Sequence, residues 1–177
     1  MKYDAMLIID MQTALIENNP YQRDIVIENI KMLMNKCRGS HIPVIHIRHD
    51  GGKGDELEKD TLGWQIYQDF MPYDNEKIID KKFNSAFLHT DLNLHLQSLD
   101  IKNVLMCGMQ TEYCFDVTCK VAYELGYHVI IAKETTTTFD NEFFSAKDLC
   151  LYYENKIWNN RYADVLDMNT ILENICG

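Results

Sequence analysis

The sequence predicts an α/β domain in which a six-stranded parallel sheet, in the strand order 3-2-1-4-5-6, carries helices on both faces to make three layers. Short unbroken apolar runs such as Ala5–Ile9 and Asn103–Cys107 have the length and composition of strands covered on both sides. Between them lie segments whose apolar residues recur at three and four, the helical period. At 177 residues the chain has the size of one domain spanning 1–177. Strands alternating with helices in one domain pair in parallel through right-handed crossovers, and the order 3-2-1-4-5-6 is a common outcome.

Element by element, Ala5–Ile9 is the first strand, stopped by Asp10. Ile27, Ile30, Leu33, Met34 and Cys37 form one apolar face, predicting a helix over 24–37 that ends near Gly39. Pro43–Ile47 reads as the second strand. From Arg48 to Asn75 the chain is polar and irregular, and an insert of that length in a small domain points to a functional loop. Lys77–Ile79 is a short third strand, followed by a helix over 91–99 capped by Thr90 or Asp91. Asn103–Cys107 is the fourth strand, Thr111 caps a helix running to Gly126, and His128–Ala132 is the fifth strand. Thr135–Thr138 reads as an ordered turn. Ser145 starts a helix through Ile157, Ala163–Leu166 is the sixth strand, and a helix over 170–175 closes the chain.

Composition narrows the function classes. Apolar residues at 46% and charged residues at 25% give a globular balance rather than that of a disordered chain. The formal charge is −10 with no basic cluster, which argues against nucleic acid as a partner. The first apolar run is too short for a signal-peptide core or a membrane span, so a cytoplasmic protein without membrane contact is expected. The six cysteines, Cys37, Cys107, Cys114, Cys119, Cys150 and Cys176, contain no Cys-x-x-Cys pair, and in a reducing compartment most are expected as buried thiols. Cys37, Cys119 and Cys150 fall on apolar helix faces and fit that reading best.

Asp10 directly follows the first strand, and Cys114 stands in the first turn after the fourth. In the order above these strands are neighbours at the switch point, where such sheets open a crevice at their carboxyl ends. A cysteine at a helix N-terminus lies in a positive field beside free N–H groups, which lowers its pKa and supplies donors to an oxyanion. A buried structural thiol at Cys114, and an Asp10 that only caps a helix over 11–17, stay open as alternatives. Lys81 and Lys82 follow the third strand, and a lysine beside a thiol favours the thiolate. The third strand stands two strands from the first, about 10 Å away, so such a lysine has to reach inward along its stem. His49 reads as a solvated loop histidine, with a place at the pocket mouth as the open alternative, and Gly51-Gly52-Lys53-Gly54, which lacks the spacing of a phosphate loop, as a flexible loop.

Three segments carry a resemblance: Leu7-Ile8-Ile9-Asp10-Met11-Gln12, Lys81-Lys82-Phe83-Asn84-Ser85-Ala86-Phe87-Leu88-His89-Thr90-Asp91-Leu92, and Cys107-Gly108-Met109-Gln110-Thr111-Glu112-Tyr113-Cys114. In order, spacing and residue type they resemble the signatures of isochorismatase-like cysteine hydrolases, and Gly63-Trp64, Gly126-Tyr127 and Thr138-Phe139-Asp140 extend the likeness over nearly the whole chain. The resemblance implies a catalytic triad of Asp10, Lys81 and Cys114, a cis peptide between Met109 and Gln110, and an oxyanion hole from the backbone N–H groups of Tyr113 and Cys114. It chooses Lys81 over Lys82 because the family's lysine precedes Ser-Ala-Phe by four residues. It further implies cleavage of an amide or related C–N bond of a small molecule through a thioester, by a homodimer or homotetramer. Tyr152, Tyr153 and Trp158 are the exposed aromatics expected at such an interface.

Nicotinamidases of this kind hold a metal through an Asp-x-His pair, whereas this chain reads His46-Ile47-Arg48-His49-Asp50, so no metal and no cofactor are expected. Trp64, Phe87 and Tyr113 are candidates for an apolar pocket wall and Gln110 for its polar handle, with Trp64 and Phe87 alternatively in the core. Vinyl ether hydrolysis at the same site and a non-catalytic binding role are the competing functions.

Overall fold

The computed structural model describes residues 3–175 and contains a six-stranded parallel sheet in the order β3-β2-β1-β4-β5-β6. In chain order its elements are β1 (Ala5–Ile9), α1 (Thr13–Glu17), α2 (Arg23–Gly39), β2 (Val44–His49), β3 (Lys77–Lys81), α3 (Leu92–Ser98), β4 (Asn103–Met109), α4 (Asp116–Glu124), β5 (His128–Thr137), α5 (Ala146–Tyr152), β6 (Asp164–Leu166) and α6 (Met168–Ile175). The predicted order and parallel pairing are those observed. Several strands run further than their apolar cores suggest. β2 and β3 continue through His49 and Lys81, and β5 takes in Thr135–Thr137, where a turn was expected. Backbone pairing with a neighbour, which sequence periodicity does not register, keeps these polar ends extended.

Alternation along β1 divides the core in two. Met6 and Ile8 face α2 and α6, packing with Ile30, Leu33 and Ile171. Ala5, Leu7 and Ile9 face the other way, toward Leu92 and Leu96 of α3 and Cys119 and Ala122 of α4. The helices cover both faces, which is why β1 and β4 are apolar at nearly every position. Ser145 Oγ accepts the Asp148 N–H at 3.1 Å and caps α5 as expected. At α3 the Thr90 hydroxyl accepts the Leu92 N–H at 3.3 Å.

Two π-helical turns correct the expectation of continuous helices. Thr111–Phe115 precedes α4, and Thr111 lies inside that turn instead of capping it, its hydroxyl 3.4 Å from Cys150 Sγ. Tyr153–Trp158 follows α5 and rotates the residues after it relative to the helix. Trp158 is therefore fully buried, its ring 4.9 Å from that of Phe115 and its Nε1–H donated to Asp116 Oδ1 at 2.9 Å. Tyr153 is half-buried against the same core, which leaves Tyr152 as the exposed member of the proposed aromatic interface. Cys37, Cys107, Cys119 and Cys150 are buried free thiols, while Cys176 lies outside the described residues. Among the described residues no helix is long and apolar enough to cross a membrane.

The centre of the carboxyl edge depends on one glycine. Gly108 pairs with Ile9 across β1 and β4, has φ +121°, and would place a Cβ 2.1 Å from the Ile9 carbonyl oxygen. Only glycine lets the two backbones approach so closely beside Asp10. Gly108→Ala is expected to lower stability by about 1–3 kcal/mol or more through overpacking, read as a lower urea midpoint. An unchanged midpoint would show that the backbone has room there.

Candidate active site

Asp10, the first residue past β1, has φ +48°, a left-handed conformation that Asp tolerates better than most side chains. Its N–H donates to the Ile47 carbonyl at 3.0 Å. The carboxylate makes no capping bond to α1, whose N-cap is Gln12. Instead Oδ2 accepts from Lys81 Nζ at 2.7 Å, and both side chains are almost entirely shielded from solvent. Oδ1 is buried and finds no hydrogen-bond partner among the described residues.

Lys81 is the hub of the cluster. β3 lies two strands from β1, yet Lys81 stands in register with His49 at the end of β2, and its stem crosses that strand end. The ammonium donates to Asp10 Oδ2 and to Cys114 Sγ at 3.2 Å and lies 3.0 Å from His49 Nδ1, which accepts its third N–H in the tautomer that carries the ring proton on Nε2. Lys82 points away, with its side chain mostly exposed and its ammonium 3.7 Å from Asp50.

Cys114 sits half-buried in the π-helical turn after β4, with Asn84 Oδ1 3.7 Å from its sulfur. The expectation of a depressed thiol pKa is reversed. Burial pushes it up to about 12, the negative charge of Asp10 adds to the rise, and Lys81 offsets part of it. A thiolate would be a second anion beside an ion pair that is already balanced, so the resting site holds a neutral thiol. Moving the thiol proton to Asp10 keeps the total charge of the cluster unchanged.

The peptide between Met109 and Gln110 is cis. The Tyr113 N–H, one of the two amides expected to receive an oxyanion, donates to the Gln110 carbonyl at 3.1 Å in the ligand-free site.

A cavity of about 230 Å³ opens beside this cluster. Gln110 and Tyr113 line it, as do Asn84 and Leu15, while the long irregular segment contributes Asp55, Glu56 and Leu57. Trp64 and Phe87 are not among its lining residues. Trp64 is buried with the Arg48 guanidinium 3.4 Å from its ring, and Phe87 stacks on Tyr127 with ring centroids 6.1 Å apart. Both serve packing, the alternative role weighed for them.

Of the two readings of His49, the structure sets aside the solvated loop and agrees with the pocket mouth: the residue ends β2, is half-buried and lines the cavity. Burial and then the charge of Lys81 hold its pKa below the ordinary value. Gln12, fully buried, fixes its backbone. The Gln12 amide accepts the His49 N–H at 2.8 Å and donates to the His49 carbonyl at 2.9 Å and the Trp64 carbonyl at 2.8 Å. A carboxylate oxygen of Asp10, a ring nitrogen of His49 and Cys114 Sγ lie within 4.8 Å of one another, donor types that suit a divalent metal. The Lys81 ammonium, however, bonds to all three side chains, and a cation placed among them would have to displace it. The residues do not fit a metal while Lys81 keeps these contacts.

The comparisons with known proteins agree with this architecture. Residues 4–150 match the isochorismatase domain. The isochorismatase family protein YddQ of Bacillus subtilis (strain 168) is 30% identical over 142 residues, covering 76% of this chain and 77% of that protein. A streptothricin hydrolase of Streptomyces noursei is 26% identical over 138 residues, which covers 77% of this chain but only 50% of that longer protein. Among solved structures, the crystal structure of an isochorismatase family protein superposes with a TM-score of 0.85 at 28% identity, covering 92% of this chain and 96% of the other. The domain match and the YddQ identity together establish that this chain belongs to the isochorismatase family.

Proposed function

We propose that the protein is a metal-independent cysteine hydrolase that cleaves an amide or related C–N bond of a small molecule through a thioester on Cys114. The observation that carries this reading is the bridge formed by Lys81 Nζ between Asp10, at 2.7 Å, and Cys114 Sγ, at 3.2 Å. Asp10 takes the thiol proton and Lys81 holds the thiolate, which attacks the carbonyl carbon. The Cys114 N–H receives the oxyanion of the tetrahedral intermediate, and the Tyr113 N–H contributes only by sharing its bond to Gln110. Collapse expels ammonia or an amine with the proton from Asp10. A water deprotonated by Asp10 then attacks the thioester, releases the acid, and the proton returns to sulfur.

The size and charge of the cavity narrow the substrate. Its volume lies below the roughly 300–1,000 Å³ of pockets for drug-sized ligands, which favours a small molecule or one end of a larger one. Its lining includes Asp55 and Glu56 but no cationic side chain, and the charge of Lys81 is already balanced by Asp10. Neutral or cationic amides are expected to outcompete amides bearing carboxylates. Hydrolysis in the name of the streptothricin relative fits the reaction type.

Ammonia or amine release from a panel of amides of differing charge, compared between wild type and Cys114→Ala, tests the proposal. Turnover by wild type and its loss in the variant supports it. Amide turnover retained in Cys114→Ala would indicate direct attack by water without a thioester, and a wild type inert on every amide would indicate vinyl ether hydrolysis or a binding role.

A further inference from the structure

His49 presents its two ring nitrogens to different surroundings. Nδ1 lies 3.0 Å from Lys81 Nζ, whose other two protons go to Asp10 and Cys114, so an unprotonated Nδ1 is the third acceptor of the ammonium. A neutral ring that accepts at Nδ1 carries its proton on Nε2. Among the described residues no group accepts from that nitrogen, and the side chain lines the cavity beside Cys114. The three Gln12 hydrogen bonds and the register with Lys81 hold the residue in place from two sides. A fixed, unspent donor at the wall of a reaction cavity is arranged for a ligand. The engagement of the Tyr113 amide with the Gln110 carbonyl leaves the site short of one donor for a substrate oxygen.

We propose that His49 is a fourth catalytic residue: Nδ1 anchors the Lys81 ammonium, and Nε2–H donates a hydrogen bond to the carbonyl oxygen of the substrate. The inference deepens the amide reading and rests on it for the identity of the acceptor.

Two substitutions separate the halves of this role. In His49→Asn the side-chain oxygen takes about the place of Nδ1, so Lys81 keeps its acceptor while the cavity donor is lost. In His49→Gln the amide nitrogen takes about the place of Nε2 and restores that donor. On an amide that wild type cleaves, kcat/KM is expected to fall about 100-fold in His49→Asn, mainly through kcat, and to recover in part in His49→Gln. Iodoacetamide alkylation of Cys114 in His49→Asn should stay near the wild-type rate, showing the remaining cluster intact. Wild-type turnover by His49→Asn, or a His49→Gln enzyme as impaired as His49→Asn, would overturn the proposal.

A measurement that needs no substrate keeps this question separate from the amide reading. Long-range proton–nitrogen NMR at pH 7, with the His49 signal assigned by its loss in His49→Asn, should show the Nε2–H tautomer. An Nδ1–H or doubly protonated ring would overturn the proposal even if amides are cleaved. If wild type cleaves no amide, the amide reading falls and the tautomer decides whether His49 offers a donor.

Discussion

Asp10→Asn is expected to make Cys114 more reactive toward iodoacetamide while lowering amide turnover by about 10²–10⁴-fold, the range for loss of a general base. The opposite signs follow from the charge arrangement. Burial raises the thiol pKa to about 12, and the Asp10 carboxylate adds to that rise. Removing the negative charge lowers the cost of the thiolate, and Lys81, released from its ion pair at 2.7 Å, stabilises the thiolate instead. At a pH below the thiol pKa a larger fraction of Cys114 is then ionised, so alkylation at pH 8 speeds up. Turnover still falls, because no group remains to carry the proton from sulfur to the leaving nitrogen or to activate water. Alkylation monitored by peptide mass spectrometry, beside turnover of the same preparations, measures both. Slower alkylation in Asp10→Asn would mean that Asp10 lowers the thiol pKa in the resting enzyme, contrary to the geometry described above.

Lys81→Met is expected to remove activity and to destabilise the fold by about 3–5 kcal/mol, the range for breaking a buried ion pair on one side. The Lys81 side chain has no exposed surface and its partner Asp10 is almost as deeply buried. Without the ammonium, Asp10 retains a buried charge whose Oδ1 already lacks a partner, and His49 loses the contact to its Nδ1. At roughly 2–4 °C per kcal/mol for a chain of this size, thermal unfolding should move down by about 6–20 °C. Lys82→Met is the matched control. Its side chain is mostly solvent-exposed and stands 3.7 Å from Asp50, so its stability should change by less than about 0.5 kcal/mol. Equal effects of the two substitutions would contradict the assignment of Lys81 to the buried cluster.

Where each residue lies in the chain explains what was readable from sequence. β1 is an apolar run ended by an acid, and the same bounds, Ala5–Ile9, appear in the structure. Strand–helix alternation predicts a parallel sheet, and the common order 3-2-1-4-5-6, which is the one observed, places the ends of β1 and β4 side by side. The sequence left His49 between a solvated loop and the pocket mouth because the apolar part of β2 stops at Ile47 while the strand continues, and only the pairing of His49 with Lys81 reveals that it is held in the sheet. The signal available was the adjacent Gln12, whose amide binds both backbone groups of His49, but no periodic pattern encodes that contact. The thiol pKa was misjudged for a related reason: a helix N-terminus is visible in sequence, whereas the burial of Cys114 and the nearness of Asp10 are not. Trp158 was assigned to an exposed face because a helical period was carried through a segment that forms a π-helical turn.

The central claim, a covalent thioester on Cys114, is tested most directly by mixing enzyme with an amide that it cleaves, quenching in acid within the first turnovers, and measuring intact and peptide masses. The account predicts a transient adduct with the mass of the acyl group, confined to the peptide carrying Cys114 and absent from Cys114→Ala. Hydrolysis at the full rate with no acyl adduct at any quench time, together with activity retained in Cys114→Ala, would contradict it.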